Sequence, residues 1–513
     1  MSSKKHDVAI VGYGPVAALL ALELAAADLR VVVLERSSDP VVLPRAVGLG
    51  GDSVRAFQRL GFGDEVGGIC QAPREVDQVV FANSKREPLF EMTIPKFGEN
   101  GWRDMAFFDQ PELEALLRDF VSRDNRIEVL FDHEVTAVEQ DADGVVIRSI
   151  SGVEKAESVH QASYAVGCDG ASSFVRQTLG IKWESLGYDQ DWLVVDIIQG
   201  PDANLPLATM QVCDPARLTT YVCVKDPNRR WEFQLLDGED REEMLEPEKI
   251  HALIEPWTAR ENYEIRRAAV YAFHAATADR WQVDRVFLAG DAAHQTPPFL
   301  GQGLNAGFRD SVNLGWKIPL VLSGRCDARL LLSYQAERDA HAKDLVEWAV
   351  AIGQLMETLA AREAGLPDPY AVDQSSGYGQ GRAAPPLRGG VLMMEQAGDE
   401  NAAIGTMLRQ PTVRDESGNV FRVDEVFGSS FAVVAKKEDA LAIGGEAAAV
   451  LERLGGRTVS FEGLEIVEGE LDRVLESHAA VVIRPDRYIF GVVDDDWSLD
   501  ALMVELGKKL SVS

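Results

Sequence analysis

Apolar and polar positions change their period several times along this chain, and each change marks an element. Short unbroken apolar runs at 8–11 and 31–34 read as strands buried on both faces. The Ala/Leu-rich stretch between them, to about residue 27, reads as a helix, so the chain opens on a strand–helix–strand unit. Strands and helices alternate through residue 70. Segments 78–81 and 89–94 read as strands of an inserted sheet. Leu113, Leu116, Leu117 and Phe120 share one face of a helix over 111–123. Segments 127–131, 135–139 and 145–149 read as strands, with Asp143-Gly144 as a hairpin turn. From 192 to about 271 the pattern is strand-like, apart from a helical patch at 246–254.

Helical periodicity then runs from 304 to 322 and on to about 362. A Gly/Pro/Ser-rich stretch, 365–390, reads as a linker or crossing segment. Beyond it, 431–435, 458–461, 464–467 and 480–483 read as strands, and 446–454, 471–477 and 499–510 as helices. That pattern predicts a small α/β domain.

Three motifs interrupt this patterning. Gly12-Tyr13-Gly14-Pro15-Val16-Ala17 follows the first strand as G-x-G-x-x-A, and Glu35-Arg36 closes the second. The first glycine permits a tight turn, the second lets a pyrophosphate approach the backbone, and small Ala17 lets helix and strand pack closely. Glu35 stands where a carboxylate can take ribose hydroxyls. The motif alone does not separate FAD from NAD. The second motif is Gly290-Asp291-Ala292-Ala293-His294, ending an apolar run and followed by Pro297-Pro298-Phe299-Leu300-Gly301-Gln302-Gly303-Leu304-Asn305. It offers a carboxylate for sugar hydroxyls, a Gly-rich loop beside a flat ligand, and a helix start for an anionic ring edge. A third run is Ala165-Val166-Gly167-Cys168-Asp169-Gly170, then Phe174-Val175-Arg176.

Together, in this order, the motifs resemble those of the class A FAD-dependent aromatic hydroxylases, flavoprotein monooxygenases of the branch that includes 3-(3-hydroxyphenyl)propionate hydroxylase. Pro44-Arg45-Ala46-Val47-Gly48 resembles the family's loop near the flavin and phosphates, and Gln110-Pro111-Glu112 its cofactor-contacting segment. The resemblance implies cofactor contacts from Gly12, Gly14, Ala17, Glu35, Arg36, Arg45, Gln110, Val135, Asp169, Asp291, Pro298, Gly301, Gly303, Leu304 and Asn305. It implies an α/β fold: a Rossmann-like FAD-binding domain from residues 1–75, 105–185 and 278–362, with an inserted mostly-β substrate sheet from 76–104 and 186–277. A linker over 363–400 and a thioredoxin-like C-terminal domain over 401–513 complete it. Arg484-Pro485-Asp486-Arg487-Tyr488-Ile489 resembles the last strands of that domain.

The implied chemistry has two halves. NADPH or NADH reduces FAD, then dioxygen adds at flavin C4a, and a phenolic ring attacks the distal oxygen of that hydroperoxide. The cofactor carries the chemistry while the protein positions and desolvates, so neither a metal nor a nucleophilic triad is expected. Pro298 and Arg45 are expected beside the reacting atoms. For a proton acceptor the candidates are Tyr271 and His274, with Tyr188, Arg217 and Tyr221 behind them. His294 is expected to be structural. The rival readings are a polyketide- or antibiotic-modifying flavin hydroxylase and a non-oxygenase FAD dehydrogenase. A halogenase is disfavoured by the lack of a W-x-W-x-I-P motif, and a non-enzymatic assembly role is more distant.

Composition narrows the partners. The chain has 513 residues with 46% hydrophobic positions, enough for two or three cored domains. A net charge of −31 repels nucleic acid and anionic membrane. The resemblance implies a small phenolic substrate and dioxygen as partners, and a homodimer stays open. Five scattered cysteines without a C-x-x-C argue against a disulfide framework or zinc site and for a cytoplasmic protein. None follows Cys326, which excludes thiol–disulfide chemistry in the C-terminal domain.

Overall fold

The computed structural model describes residues 5–38, 44–74, 77–152, 155–370, 384–398 and 403–510. Its first sheet runs Gln282–Val283, Val286–Leu288, Glu157–Gly167, Lys5–Val11, Val31–Leu34, Ile127–Leu130 from edge to edge. The four inner neighbours are parallel, so their carboxyl ends share one rim. Val11 pairs with both Leu34 and Gly167, and Gly167 pairs with Leu288. Segments 12–17, 35–36, 168–170 and 290–291, far apart in sequence, therefore leave the sheet side by side.

The strand Glu157–Gly167 carries no clean sequence signal. Its first half is a hairpin arm paired with Val145–Ser151, polar and partly exposed, and its second half is buried in the parallel sheet. One strand thus has two periods.

Over this rim pack helices Pro15–Ala26 and Gly303–Leu322. A Cβ on Gly307 would lie 2.6 Å from Val16 Cγ2, and one on Gly315 would lie 2.7 Å from Glu23 Cβ. Two glycines thus set how closely the helices approach.

The second sheet has eight strands, with Trp183–Gln199 and Tyr263–Ala278 as a long antiparallel pair. Gln78–Ala82 and Pro88–Thr93 join its far edge. Side chains alternate between its faces. Leu193, Val195, Trp231 and Phe233 bury one face against Ile250 and Ile254 of helix Pro247–Ile254. Phe81 and Trp192 on the other meet Phe299 and Val346 and Val350 of helix Ser333–Glu363.

The C-terminal thioredoxin-like domain has a four-stranded sheet in the order Arg457–Ser460, Ala432–Ala435, Ala480–Ile483, Ile489–Val492. Its first pair is parallel and the other two are antiparallel. Helices Gly445–Leu454 and Leu499–Lys509 pack together on it. Trp316 and Leu320 share a core with Phe431, Phe490 and Leu506. Helix Gly303–Leu322 thus supports both domains. Of the expected linker, 371–383 and 399–400 lie outside the described residues. Leu387, Val391, Leu392 and Met393 are buried in that shared core, so this part is a packed segment and not a free tether.

Candidate cofactor and substrate site

Gly12 has φ +94°, and a Cβ there would lie 2.6 Å from the Cys168 carbonyl oxygen. Glycine is thus required by both backbone and space. Gly14 differs: a Cβ there meets nothing within 4 Å, and it caps helix Pro15–Ala26 with no side-chain hydrogen bond. The open space and uncapped N–H groups make a cradle for an anion. Both glycines line a cleft of about 280 Å³ with Glu35, Arg36, Arg45, Arg118 and Val135. Three arginines in one cleft of a strongly acidic protein suit a pyrophosphate.

Glu35 accepts from Tyr13 N and Ser37 N, both at 2.8 Å. It ties the two loops that would flank a ribose. Ala17 is fully buried between helix and sheet. Gln110 Oε1 accepts from Arg45 N at 3.1 Å and Ala46 N at 2.6 Å, and its Nε2 donates to Glu114 at 2.7 Å. Its amide is committed to shaping the Arg45 loop. Arg118, missed from the sequence, stands on the same helix face as Gln110 and Glu114, at fourfold spacing. That spacing was the available signal. Asp169 accepts from Ser173 Oγ at 2.5 Å and Val175 N at 3.0 Å. Its carboxylate caps a helix while its backbone lines the cleft.

The second motif turns at Gly290, φ +62°. Asp310 Oδ2 accepts from Gly290 N at 2.9 Å and lies 2.8 Å from His294 Nε2, while Asp310 Oδ1 accepts from Arg338 Nε at 2.8 Å. Burial would raise the Asp310 carboxyl, but His294 and Arg338 outweigh it and hold it below its ordinary range. His294 is structural, as expected. Asp291 is not hydrogen-bonded into this network among the described residues. It is exposed, yet enclosed enough that desolvation raises its carboxyl against the charges of His294 and Arg45. Among the described residues none hydrogen-bonds its carboxylate, which suits a ligand's hydroxyls. Asn305 differs from expectation. Its Oδ1 accepts from Gly50 N and Ser53 Oγ, and its Nδ2 donates to Gly301 O and Gly48 O. The side chain is saturated by protein, leaving the backbone of Gly303, Leu304 and Asn305 to meet a cofactor at the helix start. Pro298 and Gly301 flank the same loop, with Gly301 at φ +61°.

On the second sheet, register sorts the acceptor candidates. Tyr271 pairs with Trp192 on the face toward this loop, with Arg267 5.0 Å from its ring centre. Trp192 packs on Phe299 at 5.3 Å between ring centres. His274 lies on the opposite face, exposed and paired with Asp189, so it is corrected out of the site. The reason is the twofold period: three residues from Tyr271 is the wrong side. Tyr221 also lies on the far face, stacked on Trp257 and donating to Pro206 O at 2.9 Å. Arg217 is tied to Glu239 at 2.5 Å. Tyr188 is buried beside Phe299 and donates to Gln190 at 2.7 Å, while burial pushes its hydroxyl well above the usual range. Sequence reasoning also missed Asp196, Arg230 and Arg267. Arg230 donates to Asp196 at 2.7 Å, to Arg45 O at 2.6 Å and to Pro44 O at 2.7 Å, and Arg267 also reaches Pro44 O. The substrate sheet thereby grips the Arg45 loop.

These residues fit a dinucleotide flavin: a glycine cradle, cations, an unpaired carboxylate and a second sheet over the ring end. Residues 5–349 match the FAD binding domain family, and 405–508 match the HcaD C-terminal domain. The chain is 33% identical to a probable NADH-specific resorcinol 4-hydroxylase of Rhodococcus jostii (strain RHA1), covering 98% of this chain and 95% of the relative. It is 33% identical to 3-(3-hydroxy-phenyl)propionate/3-hydroxycinnamic acid hydroxylase 2 of Burkholderia vietnamiensis (strain G4 / LMG 22486), covering 96% and 94%. In fold it is similar to aklavinone-11 hydroxylase solved with FAD and aklavinone, TM-score 0.83 at 24% identity over 100% of both chains. The chain belongs to the FAD-dependent aromatic hydroxylases, NAD(P)H-consuming flavoprotein monooxygenases.

Proposed function

We propose that this hydroxylase acts on a phenolic ring, with NADH as electron donor, and that the ring lies between Tyr271 and the Pro298 loop. The observation that carries this is the packing of Trp192 on Phe299, which brings the substrate sheet down on the loop at the flavin end. The NADH-specific resorcinol hydroxylase among the relatives supports the donor and the phenol. When bound, FAD supplies the hydride acceptor and the electrophilic oxygen. The chain's own residues do the rest. The Gly12–Gly14 turn, the start of helix Pro15–Ala26 and Arg45 hold the pyrophosphate. Glu35 takes ribose hydroxyls, and Asp291 takes those of the ribitol. The start of helix Gly303–Leu322 would meet negative charge on the edge of a bound flavin, and the aromatic wall of Trp192 and Phe299 would exclude water.

A homodimer belongs to this reading through the edge strand Pro88–Thr93, which exposes Leu89 and Phe90. Light scattering at micromolar concentration tests it. Free cysteines agree with a reducing compartment. Among the described residues no helix is long and apolar enough to cross a membrane.

The decisive experiment supplies NADH, ¹⁸O₂ and resorcinol to the flavin-loaded enzyme. One labelled hydroxyl, ortho or para to an existing one, is expected with equimolar oxygen and NADH consumed. Turnover without oxygen, or product without label, would overturn it.

A further inference from the structure

Glu232 sits at the middle of the sheet face that looks onto the flavin loop, and nothing above gives it a role. Two residues before it, Arg230 reaches the carbonyls of Pro44 and Arg45. Two residues after it, Gln234 donates to Gln190 at 2.9 Å, beside the Trp192–Phe299 contact. Glu232 therefore lies between the two loops that would bracket the flavin. Its cross-strand neighbours on that face are Thr220 and Val194, with Ala269 next. These neighbours are small beside the aromatic and arginine side chains elsewhere on the face. Phe299 packs on Trp192 of the same face, and Met105 lies 3.9 Å from a Cβ placed on Gly301, in the loop that carries Phe299.

The side chain is 5% exposed, and among the described residues none hydrogen-bonds its carboxylate. The nearest cationic nitrogen, Arg230 Nη1 at 3.9 Å, already donates to Arg45 O. A buried carboxylate left without a donor is costly unless a partner arrives.

We propose that Glu232 accepts the hydroxyl proton of the substrate phenol, and that this substrate is a phenol with no charged substituent. The inference rests on the phenol-hydroxylating reading above. In the step, the phenol O–H bond breaks and an O–H bond forms on the Glu232 carboxylate. The electron pair stays on the phenol oxygen, and no oxidation occurs. Negative charge moves from carboxylate to phenolate, so the net charge of the cluster is unchanged. That balance is what selects the substrate. Arg230 and Arg267 share Asp196, and Glu232 is the second negative charge facing them. A ring carrying its own carboxylate would add a charge with no cation to match it, in a protein already at −31. Burial, and the charge of Asp196, raise the Glu232 carboxyl to about 7 against the pull of Arg230, a range suited to a general base near neutral pH.

The test compares flavin-loaded wild type and Glu232→Gln, with resorcinol and 3-(3-hydroxyphenyl)propionate as probes. Binding is read from the flavin spectrum, and turnover from hydroxylated product. Wild type is expected to bind resorcinol at least about tenfold more tightly than the acid, and Glu232→Gln to narrow that gap. Hydroxylation of resorcinol should fall about 100-fold or more in Glu232→Gln, with flavin content retained. In wild type kcat/KM should rise with pH through about 7, and the variant should lose that rise. Among the described residues the other charged or titratable groups near this space are Arg230, Asp196, Arg267, Tyr271, Tyr188 and Arg45, all present in both proteins. Turnover within threefold of wild type with the rise intact, or equal or tighter binding of the acid by wild type, would overturn the assignment. Should Glu232→Gln lose its flavin, the wild-type probe comparison decides. Hydroxylation of the acid alone removes this inference and leaves the hydroxylase reading standing, whereas no oxygen-dependent turnover with either probe removes both.

Discussion

Asp310 and Gly290 are joined by one hydrogen bond of 2.9 Å that fixes the turn presenting Asp291. The same carboxylate holds His294 and Arg338, all of them buried. A helix residue thus positions a loop residue twenty positions earlier without touching the ligand space itself. Asp310→Ala should cost about 3–5 kcal/mol of stability, because two buried partners lose their counter-charge. Thermal melts with and without added FAD check this. A melting temperature within a degree of wild type would count against the network.

Asp291→Ala should leave the fold intact, since among the described residues none hydrogen-bonds its carboxylate. FAD affinity should fall by about 1.5–3 kcal/mol, the worth of a charge-assisted hydrogen bond. Cys168→Ala should change it far less. Titration of apo-protein with FAD distinguishes them, and acid precipitation should release the flavin unattached.

The two glycines of the first turn should fail differently. Gly12→Ala puts a methyl 2.6 Å from the Cys168 carbonyl oxygen at φ +94°, so the apo-protein itself should be destabilised. Gly14→Ala places its methyl in open space with ordinary φ, so the apo-protein should melt normally and bind FAD more weakly. Equal effects of both on the apo melting temperature would contradict this.

The domain junction should be acid-sensitive. Glu337 accepts from Lys317 Nζ and Arg484 Nη2, each at 2.7 Å, at the seam between the flavin domain and the C-terminal domain. Burial alone would raise its carboxyl, but Arg484 and Lys317 overcome that and lower it to about 2. Arg55 and Arg487 likewise hold Asp424 well below the ordinary range, despite its burial. Because the folded values are depressed, the unfolded chain takes up protons first on acidification. Their stabilisation is full above about 4.5 and is lost as pH falls from there toward 2. Denaturant melts across that window should show the loss, and Glu337→Gln should flatten it.

Removal of residues from about 400 onward should impair folding, because it strips Asp424 from Arg55 and uncovers Trp316 and Leu320. A soluble, well-folded truncation that loses hydroxylation alone would assign the C-terminal domain a catalytic part.

Much of the architecture was legible because it is written locally. Strand Val31–Leu34 is an unbroken apolar run, three valines and a leucine, and helix Gly303–Leu322 follows a Gly-rich loop. Gly12, Gly14 and Gly290 answer to backbone demands that a short motif contains. The C-terminal region showed itself as a small α/β domain by its alternating short runs, and its thioredoxin-like character came from the resemblance of Arg484–Ile489. What the sequence could not determine depends on register and on contacts between distant segments. His274 and Tyr271 are equally plausible acceptors in a string, and the strand's twofold period puts one of them in water. Asn305 reads as a ligand residue, but tertiary packing brings Gly50 and Ser53 to saturate it. Glu232, Asp196 and Arg230 look like ordinary strand charges. Burial on one face, opposite a loop more than 180 residues away, gives Arg230 its role, because desolvation makes each unmet charge demand a partner.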